Sequence, residues 1–211
     1  MKIDRLVVSP FEMNCFILSC EKTLEAAIID AGFEADRILS FIEQKGYRLK
    51  YLINTHAHVD HVSAVAEIKK RTGAPFLMHE GELPVMAGLI ASQTVYQFGD
   101  HQVPEVDEYL SPDKVLELGE LRIKVMETPG HSPGGVCFIV NDAVFTGDSL
   151  FDGSIGRTDL PGGSMPTLMD SIKTRILSLD DAFKVYPGHG PFTTIGKERQ
   201  SNPFLTGDGF F

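Results

Sequence analysis

No apolar stretch in these 211 residues approaches the roughly 20 residues that a membrane-spanning helix requires, so no membrane partner is expected. Cysteine is scarce. Cys15, Cys20 and Cys137 are odd in number and form no CxxC pair, which argues against a disulfide framework. Cations are outnumbered: 19 Lys and Arg face 29 Asp and Glu, for a net charge of −10. A phosphate-binding surface needs clustered Lys and Arg, and the basic run Lys69-Lys70-Arg71 falls at a helix end, where it complements the helix dipole. Nucleic acid is therefore not an expected partner. The opening Met1-Lys2-Ile3-Asp4-Arg5 holds an acid at once and no long apolar segment, unlike a signal peptide, so a cytoplasmic location is the expectation. Linkers, low-complexity segments and short-period repeats are also lacking. With 43% hydrophobic and 23% charged residues, the composition is that of a soluble globular protein, and one domain over 1–211 is expected.

Short apolar runs at 2–8, 14–18 and 26–29, broken by Pro10-Phe11-Glu12 and Glu21-Lys22, read as strands. Residues 35–45 have helical spacing through Ile38, Leu39, Phe41 and Ile42, with Gly46 placed to end the helix. A strand at 49–54 is followed by a histidine-rich loop and a helix from about 60 to 72, for which Asp60 would make a good N-cap. Residues 76–79 read as a strand. The segment 81–113, with Pro84, Gly88, Gly99, Pro104 and Pro112, reads as a short helix and then a surface loop of the length used for lids. Strands at 114–118, 121–127, 136–140 and 143–146, a helix at 166–179, a strand at 183–186 and a last helix near 193–200 complete the pattern. Strand-rich blocks interleaved with helices predict a layered α/β domain.

The chemistry is concentrated in Thr55-His56-Ala57-His58-Val59-Asp60-His61, directly after the apolar Tyr51-Leu52-Ile53. Imidazole and carboxylate suit zinc and other borderline first-row metals. Three more strand ends carry a ligand-type side chain beside glycine: Pro129-Gly130-His131, Thr146-Gly147-Asp148 and Pro187-Gly188-His189. Together His56, His58, Asp60, His61, His131, Asp148 and His189 exceed what one structural zinc needs, and none is a thiolate. They suit two metals sharing one carboxylate, each with an open position. A closed, non-catalytic metal module fits such a set poorly.

His56-x-His58-x-Asp60-His61 followed by His131, Asp148 and His189 resembles the metallo-β-lactamase superfamily over almost the whole chain. The resemblance implies an αββα sandwich: two mixed β-sheets face each other, flanked by helices, with the metals at one edge. It also implies that His56, His58 and His131 hold one metal, that Asp60, His61 and His189 hold the other, and that Asp148 bridges them. Zinc is the expected metal, with iron or manganese as the other choices. Within the superfamily, His58 differs from the Glu of di-iron oxygen-reducing members, and Asp148 from the zinc β-lactamases, which typically lack a bridging Asp. The segments Gly147–Phe151, Gly156-Arg157-Thr158-Asp159 and Pro187–Pro191 are similar to short, single-domain members of the glyoxalase II group. The short stretch after His189 leaves no place for the helical domain that binds glutathione in full-length glyoxalase II.

The implied activity is hydrolysis of a small thioester by a metal-bridging hydroxide, with Asp60 and Asp148 as catalytic residues and a small molecule as the partner of a monomer or small homo-oligomer. Alternatives are a mononuclear-iron persulfide dioxygenase using His56, His131 and Asp148, which the Gly156–Asp159 segment also resembles, and lactone or ester hydrolysis on the dinuclear centre. Arg157 is a candidate for a substrate carboxylate, or for a salt bridge with Asp159 or Asp152. His79 is expected to be structural, His101 exposed and Cys137 a buried core residue. Phe204, Phe210 and Phe211 form an aromatic tail.

Overall fold

The computed structural model describes residues 1–96 and 102–207. Alternation along its strands decides the architecture. In β2 (Met13–Ser19), Phe16 and Leu18 enter one apolar cluster while Cys15 and Ile17 enter another, and all four are buried. Ala27 and Ile29 of β3 (Glu25–Ile29) follow the first pair, and Ala26 and Ile28 the second. Successive side chains of a strand face opposite ways, so a sheet with both faces buried needs a cover on each.

That sheet contains β1 (Lys2–Val8), β2, β3, β4 (Arg48–Ile53), β5 (Phe76–His79) and β6 (Glu108–Leu110), in that order. Its first three strands are antiparallel and the pairings from β3 to β6 are parallel. The second sheet contains β7 (Val115–Leu118), β8 (Leu121–Glu127), β9 (Val136–Val140), β10 (Ala143–Gly147), β13 (Lys184–Pro187) and β14 (Thr193–Thr194). Between β10 and β13 lies a small hairpin of β11 (Leu150–Phe151) and β12 (Ser154–Ile155).

The inner faces meet in a cluster that joins Phe16, Ile29 and Leu77 of the first sheet to Ile123, Phe138 and Phe145 of the second. Phe16 lies edge-on to Phe145, with ring centroids 5.2 Å apart. Outside the first sheet, Ile38 and Ile42 of α1 (Ala35–Lys45) and Val65 and Ile68 of α3 (Val65–Thr72) cover Ile17, Ile28 and Leu52. Outside the second, Leu168 and Ile172 of α6 (Met165–Thr174) and Ile195 of α7 (Ile195–Ser201) cover Cys137, Val144 and Val185. The layers are helix, sheet, sheet, helix: the expected αββα sandwich. No described helix is long and apolar enough to cross a membrane.

Several elements differ from expectation. The helix predicted at 60–72 is broken into α2 (Val59–Val62) and α3, because the Ala64 N–H donates to the Ala31 carbonyl at 3.0 Å instead of back along the helix. Gly32 packs so closely here that a Cβ would lie 1.8 Å from the Asp60 carbonyl oxygen. Asp60 does not cap this helix. His58 occupies the cap position without a side-chain bond, and the Asp60 carboxylate turns to His189. The helix predicted at 166–179 ends at Thr174, and a 3₁₀ turn over Ile176–Ser178 follows. The segment after β5 is more regular than expected: a 3₁₀ turn at Glu80–Glu82, then α4 (Leu83–Ala87), α5 (Leu89–Tyr96) and finally β6. Gly99 and His101 lie outside the described residues. So do Phe210 and Phe211, whereas Phe204, in α8 (Pro203–Thr206), packs on the outer cluster of the second sheet.

Candidate metal centre

Strand direction gathers the motif residues. β3 and β4 run parallel in one sheet, and β10 and β13 run parallel in the other, with β8 aligned through two antiparallel steps. Their C-terminal ends share one edge of the sandwich. From these ends project Asp30, the loop 54–61, His131, Asp148 and His189.

The seven predicted residues converge. Ligand atoms of His56, His58 and His131 lie within 4.8 Å of one another, as do those of Asp60, His61 and His189, and those of His56, His61 and Asp148. His58 Nδ1 is 2.9 Å from His131 Nε2, and His189 Nε2 is 3.1 Å from Asp60 Oδ2. Asp148 stands between the two groups. Its Oδ1 is 3.4 Å from His61 Nε2, and its Oδ2 is 3.6 Å from His131 Nε2 and 3.7 Å from His189 Nε2.

The outward nitrogens explain how the rings are held. His61 Nδ1 donates to Asp30 Oδ2 at 3.1 Å, His131 Nδ1 to the Arg157 carbonyl at 2.7 Å, and His189 Nδ1 to the Phe11 carbonyl at 3.0 Å. The Thr55 hydroxyl donates to Asp30 Oδ2 at 2.7 Å, which leaves its lone pair for His56 Nδ1 at 3.0 Å. These acceptors place the proton on Nδ1 and aim an Nε2 lone pair inward, the arrangement in which histidine binds metal. His58 is reversed and offers Nδ1.

The inward atoms test the fit. His56 Nε2, His61 Nε2 and Asp148 Oδ1 are buried without any hydrogen-bond partner. Such orphans are costly, and a divalent cation is the partner that satisfies imidazole and carboxylate lone pairs together. Burial and the neighbouring imidazoles hold His56 well below the usual histidine range. The same causes bring His58 down to about 4. Burial opposes charge on His61 too, but Asp148 and Asp60 outweigh it and raise this histidine. Burial would raise Asp148, yet His61 holds it well below the carboxylate range. His56 and His58 are thus neutral and Asp148 anionic, as a metal site needs, and a bound cation would take the place of the second proton on His61. Glycine makes room: a Cβ on Gly188 would lie 2.3 Å from Asp148 Oδ1 and 2.8 Å from His61 Cε1.

Two supporting residues were missed in the sequence. Asp30 accepts the Thr55 N–H at 2.7 Å in addition to the two bonds above. Its setting, Ile29-Asp30-Ala31-Gly32, repeats the pattern of strand, acid and glycine and could have revealed it. Glu82 is fully buried, accepting the Ala57 N–H at 2.8 Å and the Gly134 N–H at 2.7 Å. It ties the His56–His58 loop to the His131 loop, and nothing in its neighbourhood of sequence marks it.

The centre opens into a cavity of about 710 Å³. Arg157 lines it, with its exposed guanidinium held by Asp159 through two bonds of 2.7 Å. Asp152 instead pairs with Lys197. His79 stands outside the ligand groups, accepting the Gly81 N–H and facing Glu127 at 3.2 Å. Cys137 is buried, and burial pushes its thiol up to about 12.

The sequence profile of the metallo-beta-lactamase superfamily matches residues 10–189, which span the whole centre. The chain belongs to this superfamily. It is 38% identical to the hydroxyacylglutathione hydrolase GloC of Haemophilus influenzae, over 97% of this chain and 98% of that protein. Among solved structures it resembles the B3 metallo-beta-lactamase BLEG-1, with a TM-score of 0.90 and 33% identity over 97% of this chain and 100% of that one. TTHA1623, solved in a di-iron-bound form, gives a TM-score of 0.87 and 34% identity over 96% and 100%. ETHE1 from Myxococcus xanthus gives 0.81 and 28% over 98% and 85%. As a superfamily member with convergent His and Asp groups, the chain is a metal-binding hydrolase.

Proposed function

We propose that this hydrolase cleaves small thioesters of the hydroxyacylglutathione type, with His56, His58 and His131 holding one divalent ion, Asp60, His61 and His189 a second, and Asp148 shared by both. The observation that carries this reading is Asp148 itself, set between two three-residue groups with a buried, unpartnered oxygen aimed inward. The near-full-length similarity to a hydroxyacylglutathione hydrolase supports the thioester assignment. Zinc is the proposed metal, and the di-iron form of TTHA1623 keeps iron as the foremost substitute.

When bound, divalent ions would lower the pKa of water towards neutrality and polarise a carbonyl oxygen. The chain's own residues supply position and proton handling. Asp148 and Asp60, kept anionic beside His61 and His189, orient the attacking water by accepting its hydrogen bonds. Asp30 keeps His61 from turning as charge develops, and Glu82 fixes the backbone of the loops that carry His56, His58 and His131. In the reaction a C–O bond forms at the acyl carbon and the C–S bond breaks, giving a carboxylic acid and a thiol. A thiol pKa near 8.5 lets the sulfur leave with little protonation. The proposed setting is a cytoplasmic enzyme with a small-molecule partner and neither nucleic acid nor membrane, acting as a monomer or small homo-oligomer.

The test is turnover by the metal-loaded protein in parallel assays. The reading predicts hydrolysis of lactoylglutathione. Oxygen uptake on glutathione persulfide with one iron per chain would replace it with the dioxygenase reading. Turnover confined to a lactone or a β-lactam would retain the centre and overturn the thioester assignment.

A further inference from the structure

The cavity lining is of two kinds. The metal-site residues His58, Asp60, His131, Asp148 and His189 share it with the apolar Pro84 and Val85 of α4 and with Leu160 and Pro161. Phe11, from the turn between β1 and β2, adds an aromatic edge that is 44% exposed. Arg157 is the one Lys or Arg among the described lining residues, and Asp159 already engages it through Nε and Nη2.

We infer that substrate is selected through an uncharged apolar group, alkyl or aryl, held between Pro84–Val85 and Leu160–Pro161 while the reacting carbonyl sits over the histidines. This inference rests on the proposed hydrolysis for the orientation of the group, and it extends the substrate class from short hydroxyacyl thioesters to esters or thioesters that carry a longer alkyl or aryl group. The physical reason is selection by desolvation. Apolar walls reward each buried methylene, whereas a carboxylate placed there loses hydration without gaining a cation. Proline on both sides limits backbone rearrangement, so the walls are largely pre-formed and binding orders little.

The test is equilibrium binding rather than turnover. Isothermal titration of the metal-loaded protein with acetate, butyrate and hexanoate probes the walls with the acid products of such substrates. Affinity should rise about 2-fold per half-buried methylene and about 4-fold per fully buried one, which gives at least about 16-fold from acetate to hexanoate. Adipate, of the same length with a second carboxylate, should lose most of that gain. Leu160→Asp and Pro84→Asp, each replacing an apolar lining residue with a carboxylate, should each flatten the series. Equal affinity across the alkanoates, or adipate binding as well as hexanoate, overturns the inference. A graded series in a protein that cleaves neither thioesters nor esters would sink the proposed hydrolysis and leave the apolar subsite standing.

Discussion

Replacing Glu82 with alanine isolates what holds the two histidine loops together. Its carboxylate accepts from the Ala57 N–H at 2.8 Å and the Gly134 N–H at 2.7 Å, and the residue is fully buried. Glu82→Ala therefore strands two buried backbone donors, each at about 1–3 kcal/mol, and relief of a buried carboxylate's desolvation offsets part of that. A net loss of about 2–4 kcal/mol follows. For a chain of this length that lowers the melting temperature by roughly 4–16 °C. Because the loops carry His56, His58 and His131, metal affinity should also fall by about 10–100-fold, the usual effect of losing support behind a ligand. Glu82→Gln keeps one acceptor but sets an NH₂ against the other N–H, so it should recover about half the stability. Urea unfolding in EDTA reads the fold alone, and a chelator competition reads the metal. Stability within about 0.5 kcal/mol of the parent together with unchanged metal affinity would refute the reasoning.

Asp148→Ala removes the shared carboxylate and should abolish hydrolysis and metal loading together, as elemental analysis and turnover would show; full turnover with two ions retained contradicts the assignment. Asp30→Asn sets an amide N–H₂ against the Thr55 and His61 donors; chelator competition should show metal affinity down about 10–100-fold, and parental affinity would clear Asp30 of any positioning role. Cys20 is only 3% exposed, so iodoacetamide should alkylate it slowly in the native protein, yet ahead of Cys15 and Cys137, whose thiols burial raises. The Glu120 backbone N–H and the Thr23 hydroxyl bring the Cys20 thiol down to about 7, so the thiolate forms as pH rises through neutrality and the rate should level by about pH 8. Burial keeps Cys137 and Cys15 protonated at that pH, so peptide mapping should find them unmodified until the protein is unfolded.

Local signals made most of this legible in the sequence. Continuous apolar runs such as Cys15–Leu18 announce strands buried on both faces, and the ligand residues stand at strand ends marked by glycine. What escaped depends on contacts between distant segments. The break between α2 and α3 follows from Ala64 bonding to Ala31, and no local propensity encodes that bond. Asp60 looked like a cap because an acid beside a helix start usually is one, yet His189 claims its carboxylate across 129 positions of chain. Glu82 is the sharper case, since an acid at the start of a segment read as a short helix and then a surface loop gives no hint of being fully buried. Spacing leaves Arg157 open between a substrate carboxylate, Asp159 and Asp152, and its two bonds to Asp159 depend on side-chain geometry that spacing alone does not specify.

The central claim is a pair of metals divided between two three-residue groups and joined by Asp148. Metal per chain, measured by elemental analysis after reconstitution with zinc and compared between the parent and His189→Ala, tests it most directly. The account predicts two ions in the parent and one in the variant, with the His56, His58 and His131 group still loaded. One ion in both proteins would contradict it.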